Sequence, residues 1–273
     1  MLSHNQTKLL TALQVKKYRQ KYRKFVVEGD KMVAELLAQQ RVGVSALFAT
    51  AAWIEQNAPL LSAFLEKTTL VSEAELKKIS TLSTPNAVLA VAEIPPDFES
   101  LPESVTGQTS SRGLGIKLQT SNFKLQTSNC FYLDGLQDPG NVGTILRTAD
   151  WFGMPAVFCS PDCADVYSPK VVQASMGAVL RIHTAELPLA ALLAAAPDTP
   201  VMGAVLGGQN VFEMELPKHG LIVIGNEGRG ISPESERLLT HRLTIPRHPQ
   251  GRAESLNAAV AAGILAARIC RGG

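Results

Sequence analysis

Three short stretches of the chain combine glycines with side chains that donate or accept hydrogen bonds. The first contains Asn141 and Arg147, the second reads Gly-Asn-Glu-Gly-Arg-Gly over residues 225–230, and the third contains Ser255 and Asn257. Glycines let a backbone approach a ligand closely, and the amides, hydroxyl and guanidinium supply hydrogen bonds and a positive charge. Taken together the three stretches favour a binding site, although Arg147 alone is either a surface charge or a cation held at a cleft.

The elements that would position these stretches alternate between strand and helix. The pattern predicts strands at 131–134, 156–159, 179–183, 201–206, 221–224 and 243–245, and helices at 142–152, 169–176, 187–196, 233–240 and 256–269. Ser168 and Ser232 each precede a proline and are typical N-caps, and Asn141 is expected to cap the helix after it. Strands separated by helices predict an α/β fold with a mostly parallel sheet covered on both faces. Ligands bind such sheets beyond the carboxyl ends of the strands, where the three stretches would lie.

The predicted helix 256–269 is apolar nearly all round, so we expect it to be buried in its own domain or against a partner.

Several common sites are absent from the sequence. The run Gly-x-x-Gly-x-Gly after a late strand differs from the dinucleotide fingerprint, and neither a P-loop nor a Gly-x-Ser-x-Gly elbow occurs. The five histidines lack metal-ligand spacing, and Cys159 with Cys163 has no second Cys or His pair, so we expect no metal site.

The first 95 residues predict a separate, smaller α/β unit with a basic start. Seven cations precede the first acid, Glu28, and Tyr18, Tyr22 and Phe25 lie among them. Such a segment suits an RNA backbone and stacked bases, and it equally suits a solvated helix face. Five of these cations are candidate RNA contacts: Lys16, Lys17, Arg19, Lys21 and Arg23.

Residues 96–129 read as a linker between domains at 1–95 and 130–273, because they are rich in Pro, Ser, Thr and Gly. A direct repeat of Lys-Leu-Gln-Thr-Ser-Asn starts at residue 117 and again at 124, which a small duplication in a linker explains. The chain has 273 residues, is 45% hydrophobic and carries a net charge of +2, so its overall charge says little about partners. Without a signal peptide or a membrane span of roughly 18 apolar residues, and with four scattered cysteines, it is expected to be cytoplasmic.

The three stretches resemble the motifs of the SpoU (TrmH-like) branch of the SPOUT RNA methyltransferases. Asn-Val-Gly-Thr-Ile-Leu-Arg over 141–147 resembles the first motif, and 222–231 resembles the second. Ile245-Pro246 followed by Ser255-Leu256-Asn257 resembles the third, in the same order and spacing. The resemblance covers about residues 130–270, and 21–29 and 84–91 resemble the family's small RNA-binding domain more weakly.

The resemblance implies a trefoil-knotted domain that binds S-adenosylmethionine and methylates a ribose 2′-hydroxyl of RNA, without a metal. Arg147 matches the catalytic arginine; it would stabilise the developing alkoxide or accept its proton, and the first role is preferred because arginine stays protonated. Asn141, Glu227, Ser255 and Asn257 match residues that orient the ribose, the phosphate and Arg147. Residues that match the cofactor lining are Leu206, Gly225, Ile245 and Leu256.

The resemblance also bears on partners. Arg229 and Arg247 could contact phosphates, and family members are homodimers in which the final helix joins the interface. The RNA would be ribosomal or transfer RNA, and the two-domain layout favours ribosomal RNA by analogy. The alternative is a non-catalytic RNA-binding or ribosome-assembly protein on the same scaffold.

Overall fold

The computed structural model of this chain describes residues 2–39, 41–95 and 128–270, which divide into two compact units. The first unit contains the described residues up to Pro95 and also Asp165–Arg181, and the second contains the others. The sequence places Asp165–Arg181 in the second domain, and the contacts place it in the first.

The predicted linker ends where a strand begins, at Asn129. Residues 96–127 of that linker, including most of the repeat, lie outside the described residues.

Strands and helices follow one another along the chain as the pattern predicts, with several shifted ends. The strands are β1 Lys24–Glu28, β2 Val44–Ala49, β3 Thr68–Leu70, β4 Val88–Glu93, β5 Asn129–Asp134, β6 Ala156–Cys159, β7 His183–Glu186, β8 Val201–Asn210, β9 Gly220–Gly225 and β10 His241–Thr244. The helices are α1 His4–Ala12, α2 Lys16–Tyr22, α3 Asp30–Gln39, α4 Ala51–Gln56, α5 Ala58–Leu61, α6 Glu73–Ile79, α7 Pro139–Trp151, α8 Pro169–Ser175, α9 Ala178–Arg181, α10 Leu189–Ala195, α11 Pro233–Glu236 and α12 Ala258–Ile269, with a 3-10 turn at Leu65–Lys67.

The first unit is built on a four-stranded sheet in the order β1-β4-β2-β3. β4 is antiparallel to β1 and to β2, whereas β3 is parallel to β2. One hydrophobic cluster of this unit lies between α1, α6 and the sheet and includes Leu10, Leu13, Phe48, Leu76 and Val91.

The segment Asp165–Arg181 is attached to the first unit by packing and by charge. α8 packs against β1, and the ring of Tyr167 lies 4.8 Å from that of Phe25. Arg19 and Asp165 form a buried ion pair, and Arg181 forms a partly exposed one with Glu35. These side chains explain why the segment leaves the unit in which the sequence places it.

The second unit is built on a six-stranded sheet in the order β10-β8-β9-β5-β6-β7, and every neighbouring pair is parallel. This confirms the predicted mostly parallel sheet. Its largest buried side chains include Phe131, Tyr132 and Phe158. β5 continues to β6 on one side, whereas β9 neighbours β8 and then β10 on the other, so the strand order reverses between β5 and β9.

The predicted strand at 179–183 is wrong. Residues Ala178–Arg181 form a helical turn, and the strand is β7, which begins at His183. Three of the four residues of α9 are buried, and a short buried helix has the same continuous apolar run as a buried strand.

The helix predicted at 233–240 is shorter in the structure and ends at Glu236. In the first unit, α4 and α5 are separate helices because the chain turns at Asn57, and Pro59 then supplies no N–H to continue the ladder.

The serine caps at Ser168 and Ser232 are confirmed, since each hydroxyl accepts a hydrogen bond from the third residue beyond it. Among the described helices, none is long and apolar enough to cross a membrane.

Candidate active site

The candidate site lies at the carboxyl ends of β5 and β9, where the strand order of the second unit reverses. Parallel α/β sheets bind ligands at such a reversal because the loops on either side of it diverge and leave a crevice. The loop after β5 leads into α7, and the loop after β9 leads into α11. The segment before α12 joins them through hydrogen bonds.

Asp138 starts α7, and this corrects the prediction that Asn141 is the N-cap. The Asp138 carboxylate accepts a hydrogen bond of 2.8 Å from the backbone N–H of Asn141, and Pro139 follows as the first helical residue. Proline is favoured there because its missing N–H would have no partner in the helix. The consequence is that the Asn141 side chain is not used for capping and can act elsewhere.

Three predicted site residues from separate parts of the chain form one hydrogen-bonded chain: Asn141 in the first turn of α7, Glu227 in the loop after β9 and Asn257 before α12. The Asn141 amide nitrogen donates to Glu227 Oε1 at 2.7 Å, and the Asn257 amide nitrogen donates to Asn141 Oδ1 at 2.9 Å. Asn257 also caps α12, because its Oδ1 accepts from the backbone N–H groups of Ala259 and Val260. These two hydrogen bonds determine the orientation of each side-chain amide, that is, on which side its nitrogen and its oxygen lie.

The loop after β9 is held by a residue that the sequence reasoning did not single out. The Asn226 side chain donates to Gly135 O at 2.7 Å, and its oxygen accepts from the N–H groups of Gly228 and Arg229. Asn226 therefore ties the β9 loop to the β5 loop. An Asn directly before a glycine-rich turn is the available signal, since Asn side chains commonly bond the backbone two residues on.

Gly225 is needed at the end of β9 for space. A Cβ there would come within 2.3 Å of the carbonyl carbon of Gly230, whose backbone pairs with Asn226 across the turn. Gly230 itself has φ +71°, a left-handed conformation that favours glycine.

A buried polar layer lies beneath these loops. Asp134 is buried and accepts a 2.6 Å hydrogen bond from the N–H of Ser232. Ser160 Oγ accepts from Gly135 N–H at 2.8 Å, and Cys163 Sγ accepts from Leu136 N–H at 3.3 Å. The turn at residues 135–136 is therefore anchored from below.

The thiol of Cys163 has an unusual acidity. A hydrogen bond with the Cys159 side chain, with others from Ser160, Leu136 and Gly135, lowers the pKa of Cys163 to about 7, although burial opposes the shift. Ser160 and the Leu136 N–H, which take part in anchoring the turn, thus also stabilise the Cys163 thiolate.

Arg147 lies on the exposed side of α7, two turns beyond Asn141. In the described part of the chain, its guanidinium forms neither a hydrogen bond nor an ion pair, so its charge is available to an anionic group. Ser255 is also exposed and lacks a hydrogen bond within the described residues, so the structure does not bring its hydroxyl into the Glu227–Asn141–Asn257 chain.

The three apolar residues predicted to line the cofactor differ in exposure. Leu206 is 82% exposed and Leu256 is 47% exposed, while Ile245 is partly buried. β8 and β10 pair as far as Gly203 and Arg242, and the next pair is Gln209 with Leu243, so 204–208 bulge out of the ladder. The Thr244 hydroxyl donates to Leu206 O at 3.2 Å and holds the bulge beside the end of β10.

The arginines proposed for phosphate contact differ in their surroundings. Arg229 is exposed on the β9 loop. Arg247 is exposed as well, but its guanidinium donates to the carbonyl of Ala253 at 3.0 Å.

In the first unit, Arg19 contradicts its prediction as an RNA contact. It is only 3% exposed and donates to Asp165 and to the carbonyl of Leu13, so a phosphate has no access to it. Lys17, Lys21 and Arg23 are exposed, and Lys16 is partly exposed. The sequence could not distinguish these cations because the partner of Arg19 lies 146 positions away.

Comparison with known proteins agrees with this architecture. The model of the SpoU rRNA Methylase family matches residues 128–267, and that of the MRM3-like substrate binding domain matches residues 4–90. The 23S rRNA (guanosine(2553)-2′-O)-methyltransferase RlmP of Bacillus subtilis is 28% identical over 256 residues, which cover 93% of this chain and 91% of that protein.

Two solved structures are similar along nearly the whole chain. A protein of the TrmH family from Porphyromonas gingivalis is 39% identical, with a TM-score of 0.80 and 98% of each chain covered. The AdoMet-bound rRNA methyltransferase from Sinorhizobium meliloti is 25% identical, with a TM-score of 0.80 and 99% and 96% of the two chains covered.

The match to the SpoU rRNA Methylase model over this parallel sheet and its hydrogen-bonded loops identifies an RNA methyltransferase. The chain belongs to the SpoU rRNA Methylase family.

Proposed function

We propose that this protein transfers a methyl group from S-adenosylmethionine to a ribose 2′-hydroxyl of RNA. The observation that carries the proposal is the chain of hydrogen bonds from Glu227 through Asn141 to Asn257, in which Asn141 lies on the helix that also bears Arg147. Family membership supplies the reaction class, and RlmP, which is similar over 93% of this chain, is named as a 2′-O-methyltransferase.

The residues at the edge of the second unit fit the cofactor. Leu206 and Leu256 are exposed and Ile245 is partly buried, and the Leu206 carbonyl accepts a hydrogen bond from the Thr244 hydroxyl, so apolar side chains accompany polar backbone groups. An adenosyl group has this combination of an apolar face and hydrogen-bonding edges. Together with Gly225 they would hold S-adenosylmethionine, which supplies an electrophilic methyl group when bound. The similar Sinorhizobium meliloti enzyme has AdoMet bound.

The remaining chemistry falls to side chains of this chain. A ribose hydroxyl is a weak nucleophile, so the enzyme must position it and stabilise the negative charge that develops on its oxygen. Arginine stays protonated in proteins, so Arg147 acts by electrostatic stabilisation rather than as a base. Asn141, Glu227 and Asn257 orient the ribose and its phosphate, and Ser255 adds an exposed hydroxyl.

Ribosomal RNA is the proposed substrate. RlmP is named for 23S rRNA, and residues 4–90 match the model of a substrate binding domain. In the first unit Lys16, Lys17, Lys21 and Arg23 would contact phosphates, and in the second Arg229 and Arg247 would do so. Arg19 is left out because it is buried.

We further propose a homodimer with a trefoil-knotted second domain, as the family resemblance implies. Val260 is an apolar residue of α12 that is 51% exposed, which suits a helix covered by a second copy. A cytoplasmic location is consistent with the free thiols of Cys130, Cys159, Cys163 and Cys270, which suit a reducing compartment.

Replacing Arg147 tests the proposal. Arg147→Ala should lower the rate of transfer of radiolabelled methyl groups into unmodified ribosomal RNA by about 100-fold or more, the usual cost of removing one electrostatic stabiliser of a transition state. The affinity for S-adenosylhomocysteine, measured by calorimetry, should stay within a few fold. Arg237→Ala, which removes another exposed arginine of this unit, is the matched control and should leave both quantities unchanged.

Each alternative gives a different result. If the folded wild-type protein fails to bind S-adenosylhomocysteine, it is a non-catalytic RNA-binding protein. If Arg147→Ala loses cofactor affinity as strongly as activity, Arg147 belongs to the cofactor site. Methylation that maps to a base instead of a 2′-oxygen would refute the ribose specificity.

A further inference from the structure

The exposed face of α2 carries two tyrosines whose rings are stacked on each other. The Tyr18 and Tyr22 ring centroids are 6.2 Å apart with an interplanar angle of 14°, and the residues are 37% and 40% exposed. Large aromatic side chains are usually buried, and the proposed chemistry does not use these two. Their exposure is therefore best explained by binding of a ligand that has a flat apolar face.

Two lysines lie next to the tyrosines on the same face of α2. Residues four apart share a helix face, so Lys17 and Lys21 form one row and Tyr18 and Tyr22 form the adjacent one. The Lys21 ammonium lies 5.5 Å from the centroid of the Tyr22 ring. The face thus presents aromatic surface and positive charge together, and the sequence of α2, Lys-Lys-Tyr-Arg-Gln-Lys-Tyr, contains no acid.

The orientation of this face is fixed from the other side of the helix. Arg19 points inward, where it donates two hydrogen bonds to Asp165 Oδ2 and one to Leu13 O. α2 is a helix of only seven residues, too short to be stable alone. The buried arginine therefore holds it in the one rotation that leaves both tyrosines outside.

We infer that Tyr18 and Tyr22 form a stacking platform for an unpaired base of the substrate RNA, with Lys17 and Lys21 contacting the adjoining phosphates. A duplex shields its base faces, and only a single-stranded or splayed-out nucleotide offers one to an aromatic ring. The platform would therefore select single-stranded RNA. This inference rests on the proposed RNA substrate and adds the strandedness of the part that the first unit binds.

The charge of the face argues for RNA over a protein partner. A protein surface that covers two tyrosines would have to be acidic as well as apolar to match neighbouring lysines. RNA has a negative backbone and flat bases in every nucleotide, so one nucleotide and its neighbours satisfy both rows at once.

The test compares affinities of the full-length protein for a fluorescein-labelled oligoadenylate of 12 nucleotides and for the same strand in a duplex with oligouridylate. Tyr18→Leu combined with Tyr22→Leu should weaken single-strand binding by about 5- to 150-fold, the range expected for one stacked base. Duplex affinity should change by less than twofold. The paired substitutions Tyr18→Phe and Tyr22→Phe should retain single-strand binding, because phenylalanine keeps the ring.

Salt dependence separates stacking from charge. The slope of log affinity against log salt should be unchanged in the leucine double variant. In Lys17→Gln with Lys21→Gln it should fall by about 0.7 for each phosphate that a lysine no longer neutralises. Thermal unfolding of every variant checks that the exposed substitutions leave the first unit folded.

Three results would overturn the inference: equal single-strand affinity in wild type and the leucine variant, equal losses with phenylalanine and leucine, or equal losses on duplex and single strand. Methyl transfer by the wild-type enzyme to unmodified ribosomal RNA is measured in parallel. Its absence refutes the proposed function, whereas normal transfer with unaltered oligonucleotide binding refutes only the platform.

Discussion

Replacing Asp165 with alanine should strongly destabilise the first unit. The change removes the carboxylate that accepts two of the three hydrogen bonds of Arg19, at 2.9 and 2.6 Å, and leaves the guanidinium with the Leu13 carbonyl alone. The side chains of Arg19 and Asp165 are 4% and 15% exposed, so water cannot replace the missing partner fully.

The magnitude follows from this burial. Removing one member of a buried ion pair costs about 3–5 kcal/mol because a charge stays buried without its partner. We expect about 3 kcal/mol, the lower end, since Asp165 keeps some contact with solvent. At about 1–3 kcal/mol per molar urea, the unfolding midpoint of the first unit should fall by about 1–3 M.

The chain provides a selective probe for the measurement. Trp53 is buried in the first unit, whereas Trp151, in the second, is 84% exposed. Fluorescence of Trp53 in a Trp151→Phe background therefore follows urea unfolding of the first unit.

A double variant isolates the charge. Arg19→Met removes the guanidinium but keeps an apolar side chain of similar length, so Arg19→Met with Asp165→Ala should be more stable than Asp165→Ala alone. If the double variant is as unstable as the single one, packing and not the unpaired charge explains the loss. A loss below 1 kcal/mol for Asp165→Ala would refute the reasoning altogether.

Three predictions concern the second unit. Asn257→Ala should destabilise α12 by about 1 kcal/mol, measured by thermal unfolding, whereas Asn257→Asp should keep the cap and lower only methyl transfer, because a carboxylate cannot donate to Asn141; equal activity of wild type and Asn257→Asp would contradict this. Gly225→Ala should cost about 1–3 kcal/mol of unfolding free energy because its Cβ meets backbone at 2.3 Å, while Gly228→Ala, with its nearest contact at 3.7 Å, is a control that should cost less. The difference in 240 nm absorbance between wild type and Cys163→Ser should titrate with a midpoint at about 7. Because folding lowers the pKa of Cys163, the thiolate stabilises the folded state above the unfolded thiol pKa of about 8.5, and this contribution to stability is lost as the pH falls through 7.

The sequence indicated which residues lie together better than it indicated which hydrogen bonds hold them. Asn141, Glu227 and Asn257 were recognisable from their motifs, and the structure joins all three. The bonds among them were not predictable, because the residue that caps α7 is Asp138, and this detail decides that the Asn141 amide is available. The role of Asn226 was missed because the Gly135 carbonyl to which it donates lies 91 positions away in the sequence.

Errors in the fold prediction have a common physical origin. Arg19 is like its neighbours in the sequence, and only a distant carboxylate makes it a buried residue. The run from Ala178 to Arg181 is apolar enough for a strand, and its helical form depends on tertiary packing that periodicity does not report. Local patterns thus predicted most elements and their order. Where a residue or element differed from its prediction, a distant charge or tertiary burial was the cause.

The return of Asp165–Arg181 to the first unit affects how the protein can be divided. A fragment that ends at Pro95 would lack α8 and α9, expose the face of β1 that α8 covers, and leave the guanidinium of Arg19 without its carboxylate. The first compact unit is therefore not one continuous stretch of the chain. The first unit cannot complete its folding until residues 146 positions beyond Arg19 have joined it, a high contact order that slows folding. Domain exchange between relatives would have to transfer both segments together.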